Sequence, residues 1–310
     1  MLDLLAVVAP VFLIVGAGYW AVGRGAFPIE GAEALMLFAQ RFAIPCLLFL
    51  AMSRIDLATL LNWKLIISFY SGTLSCFAIS ALMAFSFFRR AGPAAVTVGF
   101  SATFANAVLL GLPIVERAFG EAALDASFTV IAFHAPICYA VGIAAMEAVL
   151  ADGKSRSETV WTIVKAIFSN PLMIGIAGGL VVNLFNLALP PLILDPVEFM
   201  SRAAIGAALF ALGGVLVKYQ ISDRWGEIGM VTLLRLIWHP TLAYVLAAII
   251  FKLPEDIVHG IVVTASMAPG VNTYVFANMY GRGKGTAAST VLIGTALSVV
   301  TVSAWLYILS

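Results

Sequence analysis

Three residues that interrupt a helix or carry a polar group lie inside the apolar stretch Phe104–Gly120: Asn106, Gly111 and Pro113. In hydrocarbon every backbone N–H and C=O needs an internal partner, so an irregular backbone is tolerated only where it is buried in protein or lines a cavity. Because Pro lacks an N–H and Gly relaxes the chain, we expect this segment to break at mid-membrane depth. The half-helix ends and the Asn106 amide could then bind a small polar ligand.

A second stretch repeats this pattern, with Pro269 and Gly270 followed by Asn272 and Thr273. If the two breaks cross, half-helix ends meet at one point, and their N-termini present free N–H groups that suit a carboxylate. The alternative is that Pro and Gly only kink packed helices and that Asn joins neighbouring helices. Two such segments at equivalent positions of a repeat favour a binding site.

Charged residues near these segments indicate an anion as the ligand. Arg235 and His239 share a helix face, and a buried cation usually faces a cavity or a partner. Arg235 could bind the substrate, bind a helix C-terminus, or extend to the membrane surface. Arg41 is similarly deep, but packing or a subunit contact is the better interpretation. His134 and His239 are candidates for proton coupling because imidazole titrates near neutral pH; a structural hydrogen bond is the alternative.

The composition is that of an integral membrane protein, with 62% hydrophobic and 11% charged residues and a mean hydropathy of +1.05. Soluble domains carry about a quarter charged residues. The net charge of +1 gives no support for a nucleic-acid partner. No carboxylate lies beside either break, no metal site is expected, and no HExxH, GxSxG or phosphate-loop motif implies an enzyme or a cofactor. The three cysteines are expected to be buried structural thiols.

Ten apolar runs reach the length of about 20 residues that a membrane span requires. They are Leu4–Val22, Gly31–Ser53, Leu61–Phe88, Ala94–Phe119, Leu124–Leu150, Val160–Leu187, Val197–Val217, Ile228–Phe251, Asp256–Tyr280 and Thr286–Leu309. The first is predicted to be a retained span and not a signal peptide.

The chain also aligns with itself at a constant offset of 161 residues. The aligned pairs include Pro10 and Pro171, Gly18 and Gly179, Phe49 and Phe210, and Gly120 and Gly281. We therefore predict a first five-helix repeat over residues 1–151, a linker over 152–159 and a second repeat over 160–310. An odd number of spans per repeat makes the second repeat inverted. Basic residues concentrate in the loops after odd-numbered spans, which predicts a cytoplasmic linker and periplasmic termini.

Several landmarks along the whole chain have a distinctive spacing. They are Pro10 with Gly18-Tyr19, Arg41–Pro45 with Leu47–Phe49, Gly111–Pro113 with Phe119-Gly120, Asn170-Pro171, Ala208–Gly213, Arg235 with Pro240, and Val275–Tyr280. With these landmarks the chain resembles the auxin efflux carrier family, which includes bacterial malonate and malate permease-like members and plant PIN-type carriers. It departs from the plant carriers in lacking their long cytoplasmic loop and in reading Ala268-Pro269-Gly270 where they carry Asn-Pro-Asn.

The resemblance implies an all-α membrane protein of ten transmembrane helices in two inverted repeats. Spans 1, 2, 6 and 7 would form a scaffold that makes a homodimer, and the others a transport domain with broken, crossing spans 4 and 9. Substrates in the family are small organic anions, moved by an elevator-like shift. By their match to the family's motifs, the residues that would form the substrate site are Asn106, Pro113, Pro269 and Asn272, together with Arg235.

These observations predict a secondary active transporter for a small carboxylate, such as malonate or malate, in the bacterial inner membrane. One alternative is a sodium-coupled organic anion symporter of the bile-acid type on the same architecture. Another is a membrane sensor that binds its ligand without transporting it.

Overall fold

The computed structural model describes residues 2–150 and 156–310, and in these ranges the chain forms helices and turns without a β-strand. The helices are α1 (Leu2–Gly23), α2 (Ile29–Arg54), α3 (Leu57–Leu60), α4 (Trp63–Ser86), α5 (Gly92–Ser101), α6 (Leu112–Phe119), α7 (Leu124–Leu150), α8 (Arg156–Phe168), α9 (Pro171–Leu184), α10 (Pro191–Leu216), α11 (Trp225–Ile250), α12 (Glu255–Ala265), α13 (Asn272–Tyr280) and α14 (Lys284–Leu309). The expected all-helical class is confirmed for this part of the chain.

Seven of the described helices, α1, α2, α4, α7, α10, α11 and α14, are long and apolar enough to cross a membrane. The fourth, sixth and ninth predicted spans instead fall on pairs of shorter helices, α5 with α6, α8 with α9, and α12 with α13. The integral membrane character is therefore confirmed, and the count of ten spans stays a prediction.

The sixth span was expected to be one apolar run, Val160–Leu187, and the structure corrects this. Helices α8 and α9 are bent by 75° relative to each other. Asn170 caps α9 because its side-chain oxygen accepts a hydrogen bond from the Leu172 N–H at 3.0 Å. Pro171, which needs no N–H partner, occupies the first turn. Of the predicted linker 152–159, residues 152–155 lie outside the described ranges, and α8 begins at Arg156.

Three prolines each follow a π-helical turn that ends two residues before them. The turns and prolines are Ala39–Ala43 with Pro45, Ala107–Gly111 with Pro113, and Leu234–Trp238 with Pro240. A proline inside an α-helix removes one hydrogen bond and its ring collides with the carbonyl one turn earlier. The wider π turn relieves that collision and lets the helix continue.

The helices separate into two compact units. Unit 1 comprises Met1–Val8, Asn62–Val164 and Tyr219–Ser310, and unit 2 comprises Ala9–Leu61 and Lys165–Lys218. Each unit therefore combines segments from both halves of the chain.

Two close helix contacts within unit 2 are related by the sequence offset. A Cβ at Gly18 would overlap the carbonyl oxygen of Phe210, and a Cβ at Gly179 would overlap that of Phe49. Position 18 plus 161 is 179, and position 49 plus 161 is 210. The two contacts thus exchange their partners under the offset, which is the pattern expected of two repeats related by a twofold axis.

Small residues at such contacts let helix backbones approach closely. A Cβ at Gly213 of α10 would overlap the Val15 carbonyl oxygen, whereas Gly206 of the same helix has open space around it. We expect Gly213→Ala to destabilise the protein by about 1–3 kcal/mol, since overpacking forces the helices apart. The matched control Gly206→Ala should not lower the melting temperature in detergent. Equal melting temperatures for the two variants would contradict this contact.

Candidate functional site

The chain unwinds at two places in unit 1, which we call the first break and the second break. The first break, residues 102–106, separates α5 from the π turn that leads into α6. The second break, residues 266–271, separates α12 from α13. The sequence analysis expected the first interruption at Gly111 and Pro113. The structure instead places both residues in the helical segment after the break, where the π turn accommodates the proline.

The two breaks pair with each other through their backbones. The Asn106 N–H donates to the Ala268 carbonyl at 2.9 Å, and the Gly270 N–H donates to the Phe104 carbonyl at 2.8 Å. Pro269 sits opposite Ala105 in the centre of this antiparallel bridge. At that non-hydrogen-bonded position the missing proline N–H costs no bond.

Glycines allow the close approach of the breaks. A Cβ at Gly270 would lie 3.1 Å from the Ala105 carbonyl oxygen, and a Cβ at Gly111 would lie 3.4 Å from the side chain of Met267. Larger side chains at these positions would push the two segments apart. Gly111 and Gly270 therefore shape the junction without offering a side chain to a ligand.

His134 of α7 satisfies the one N–H of the bridged pair, that of Ala105, which points away from the bridge. Its Nε2 accepts a hydrogen bond from the Ala105 N–H at 2.8 Å, and its ring packs against Phe104 with centroids 4.7 Å apart. Because Nε2 accepts, the hydrogen-bond pattern assigns the ring proton to Nδ1, which lies 3.7 Å from the Cys138 sulfur. His134 is thus held in its neutral form by the first break.

Arg235 is fully buried and reaches the second break. Its Nε–H donates to the Met267 carbonyl at 3.1 Å, just beyond the C-terminal end of α12. Its Nη1 contacts Nδ1 of His239, and Nε2 of His239 faces the Phe69 carbonyl at 3.0 Å. The Arg235 side chain therefore does not reach the surface of the protein, and it contacts the segment that follows the C-terminal end of α12.

Two buried donors at this junction have no hydrogen-bond partner within residues 2–150 and 156–310. They are Nη2 of Arg235 and Nδ2 of Asn106. The ion pairs of the described residues do not include Arg235, so no carboxylate in those ranges neutralises its charge. Both donors border the same segment, since Arg235 bonds to Met267 and Asn106 bonds to Ala268.

The other predicted site residues take different places. Thr273 is buried, and its hydroxyl donates to the Gly270 carbonyl at 2.9 Å, within the turn where α13 begins. Asn272 is half-buried at the first turn of α13. The site therefore unites Asn106 and Arg235, whereas Thr273 supports the break.

The sequence analysis did not identify the partners of His239 in α4. A Cβ at Gly72 would overlap the His239 ring, so this glycine makes room for it, and the Thr73 hydroxyl lies 3.3 Å from His239 Nε2. A glycine inside an apolar span is a signal for close helix approach. The sequence does not indicate which residue fills that space.

Broken helices that meet inside a bundle of apolar helices are typical of membrane transport proteins. Residues 3–306 match the model of a family described as "Membrane transport protein". The chain therefore belongs to this family, the auxin efflux carrier family, as its landmarks indicated.

Two relatives illustrate the range of the family. The "Putative malonate transporter" of Rhizobium meliloti (strain 1021) is 26% identical over 310 residues, covering 100% of this chain and 97% of the relative. The "Auxin efflux carrier component 5" of Arabidopsis thaliana is 21% identical over 231 residues, covering 63% of this chain and 65% of the relative.

Replacing His134 tests its role at the first break. We expect His134→Phe to lower the free energy of unfolding by about 1–3 kcal/mol because the buried Ala105 N–H loses its acceptor. His134→Gln, whose side-chain oxygen can accept the same bond, should lose less. Melting temperatures in detergent measure both effects.

His259 of α12 provides a control, since its ring stacks on Phe119 at 3.9 Å and a phenyl ring can replace it. His259→Phe should melt close to the wild type. If His134→Phe also did, the Ala105 bond would not be important for stability.

Proposed function

We propose that this protein is a secondary active transporter that carries a small organic anion, a carboxylate such as malonate or malate, across the bacterial inner membrane. The observation that carries the proposal is the fully buried guanidinium of Arg235, which has a free Nη2 and no carboxylate partner among the described residues. An unpaired buried charge costs several kcal/mol, and a bound anion would remove much of that cost.

The donors at the junction fit a carboxylate. Arg235 offers Nη2–H and Asn106 offers Nδ2–H, and both are buried. The N-terminus of α13 begins directly after the second break and adds a partial positive charge. In this proposal Asn272, in the first turn of α13, contributes to binding and Thr273 holds that turn in place. The junction is shaped by Pro113, Pro269, Gly111 and Gly270.

The choice of substrate class rests on the relatives. The Rhizobium meliloti protein, described by its name as a malonate transporter, aligns over the whole of this chain. The plant auxin carrier aligns over 63% of it, and this chain has Ala268-Pro269-Gly270 at the second break. We therefore favour a short carboxylate over an aromatic acid.

The mechanism we propose is an elevator-like movement of unit 1. The predicted spans 1, 2, 6 and 7 lie mainly in unit 2 and the others in unit 1, which also contains both breaks. This division supports a scaffold and a transport domain that carries the site, and in our proposal the scaffold forms a homodimer. The exchanged glycine contacts of unit 2 support a repeat of five spans, residues 1–151 and 160–310, which is inverted because five is an odd number. The pairing of the two breaks supports crossing spans 4 and 9, and the distribution of basic residues supports periplasmic termini.

Proton coupling through His134 or His239 stays part of the proposal. Each ring uses a nitrogen lone pair as an acceptor, from the Ala105 N–H and from Arg235 respectively. Protonation of either ring would break that bond, so a proton taken up there would loosen the junction. The dependence of uptake on a pH gradient tests this coupling.

Uptake of radiolabelled malonate and malate by protein reconstituted in liposomes tests the transport proposal. We expect Arg235→Gln and Asn106→Ala to reduce uptake at least tenfold, since each removes a buried donor to a charged ligand. Arg202→Gln is the matched control because Arg202 of α10 is exposed, and this variant should transport normally. Absence of uptake by the wild type, or unchanged uptake by both site variants, would contradict the proposal.

A further inference from the structure

The Thr295 hydroxyl is the one in α14 that has no hydrogen-bond partner in the described part of the chain. Thr286 donates to Glu227 at 3.0 Å. The other serines and threonines of α14 donate to carbonyls of their own helix, as is usual in apolar helices. These residues are Ser289, Thr290, Ser298, Thr301 and Ser303. Thr295 is 3% exposed, and its buried hydroxyl has no partner in the described part of the chain.

Thr232 of α11 has the same property. It is 5% exposed, and its hydroxyl is also without a partner in the described ranges. It precedes Arg235 by three residues, so the two side chains share a helix face.

Helices α11 and α14 lie side by side between two contacts, Thr286 with Glu227 at 3.0 Å and the Trp305 indole N–H with the Leu236 carbonyl at 3.3 Å. Thr232 and Thr295 both fall between these contacts along their helices. The two hydroxyls are thus contributed by two helices that pack against each other.

This pair of helices borders the second break. Gly294, next to Thr295, lies so close to the break that a Cβ there would be 2.7 Å from the Pro269 ring and 3.7 Å from Ala268. Arg235 bonds to the carbonyl of Met267 on the same segment. Unpartnered buried polar groups thus occur on three elements that contact residues 267–269, namely the first break, α11 and α14.

We propose that Thr295, supported by Thr232, binds the second carboxylate of a short dicarboxylate whose first carboxylate is held by Arg235 and Asn106. This inference rests on the proposed transport function. A hydroxyl can donate to a carboxylate oxygen, and a buried hydroxyl left unpaired penalises a ligand that lacks the second group. A site built to hydrogen-bond a substrate group rejects analogues without that group far more strongly than an apolar pocket does. Thr295 would thus be a specificity residue that favours dicarboxylates over monocarboxylates.

The test compares Thr295→Val, Thr295→Ser and Thr290→Val in liposomes, with labelled malonate as substrate and acetate as competitor. Thr290→Val is the matched control, since the Thr290 hydroxyl bonds within its own helix. We expect Thr295→Val to raise the KM for malonate about tenfold or more, as expected for a lost hydrogen bond to a charged group. Competition by acetate should become stronger, because Thr295→Val removes the hydroxyl that acetate would leave unpaired. Thr295→Ser should restore the wild-type KM.

Melting temperatures of all variants establish that they are folded. If Thr295→Val does not fold, Thr232→Val replaces it, and we expect this variant to raise the malonate KM as well. If the wild type transports malonate and Thr295→Val has the same KM, this inference is wrong while the transport proposal stands. If Thr290→Val raises the KM equally, or Thr295→Ser fails to restore it, the effect is structural and the inference is overturned. If the wild type moves no malonate, both proposals fail.

Discussion

The organisation of unit 1 depends on the pairing of two unwound segments of backbone. A membrane interior offers no water to satisfy a free N–H or C=O, so each break is stable only because the other provides its partners. The Asn106 and Gly270 N–H groups each bond to a carbonyl of the opposite break, and His134 accepts the N–H that points outward. Helices α5, α6, α12 and α13 are therefore fixed at the ends that meet this junction.

A buried positive charge also lies at that junction, where hydrogen bonds hold it in place. Arg235 is positioned by the Met267 carbonyl and by His239, and His239 in turn lies against the Phe69 carbonyl and in the space left by Gly72. The fixed contacts use Nε and Nη1 of the guanidinium and leave Nη2 as an unpaired donor. The structural contacts and the proposed contact with an anion thus use different nitrogens of one side chain.

Much of this arrangement was readable from the sequence, because long apolar runs and paired Pro, Gly and Asn signals have direct physical meanings in a membrane. The position of the first break could not be predicted from the sequence. Gly111 and Pro113 suggest an interruption at their own positions, but the π turn lets the helix continue there. The bend before Pro171 was missed although Asn-Pro is a helix start. The unpaired hydroxyls of Thr232 and Thr295 had no sequence signal, because threonine in an apolar helix normally bonds to its own backbone.

The unpaired charge of Arg235 also determines how a moving site would respond to the membrane potential. If unit 1 carries the site across the bilayer, the unloaded site contributes one positive charge and a site holding a dianion contributes one negative charge. When one such charge crosses a membrane potential of 100 mV, its free energy changes by about 2.3 kcal/mol. A potential negative inside would draw the unloaded site inward and push the loaded site outward. Accumulation of a dianion in the cell would then require cations to travel with it.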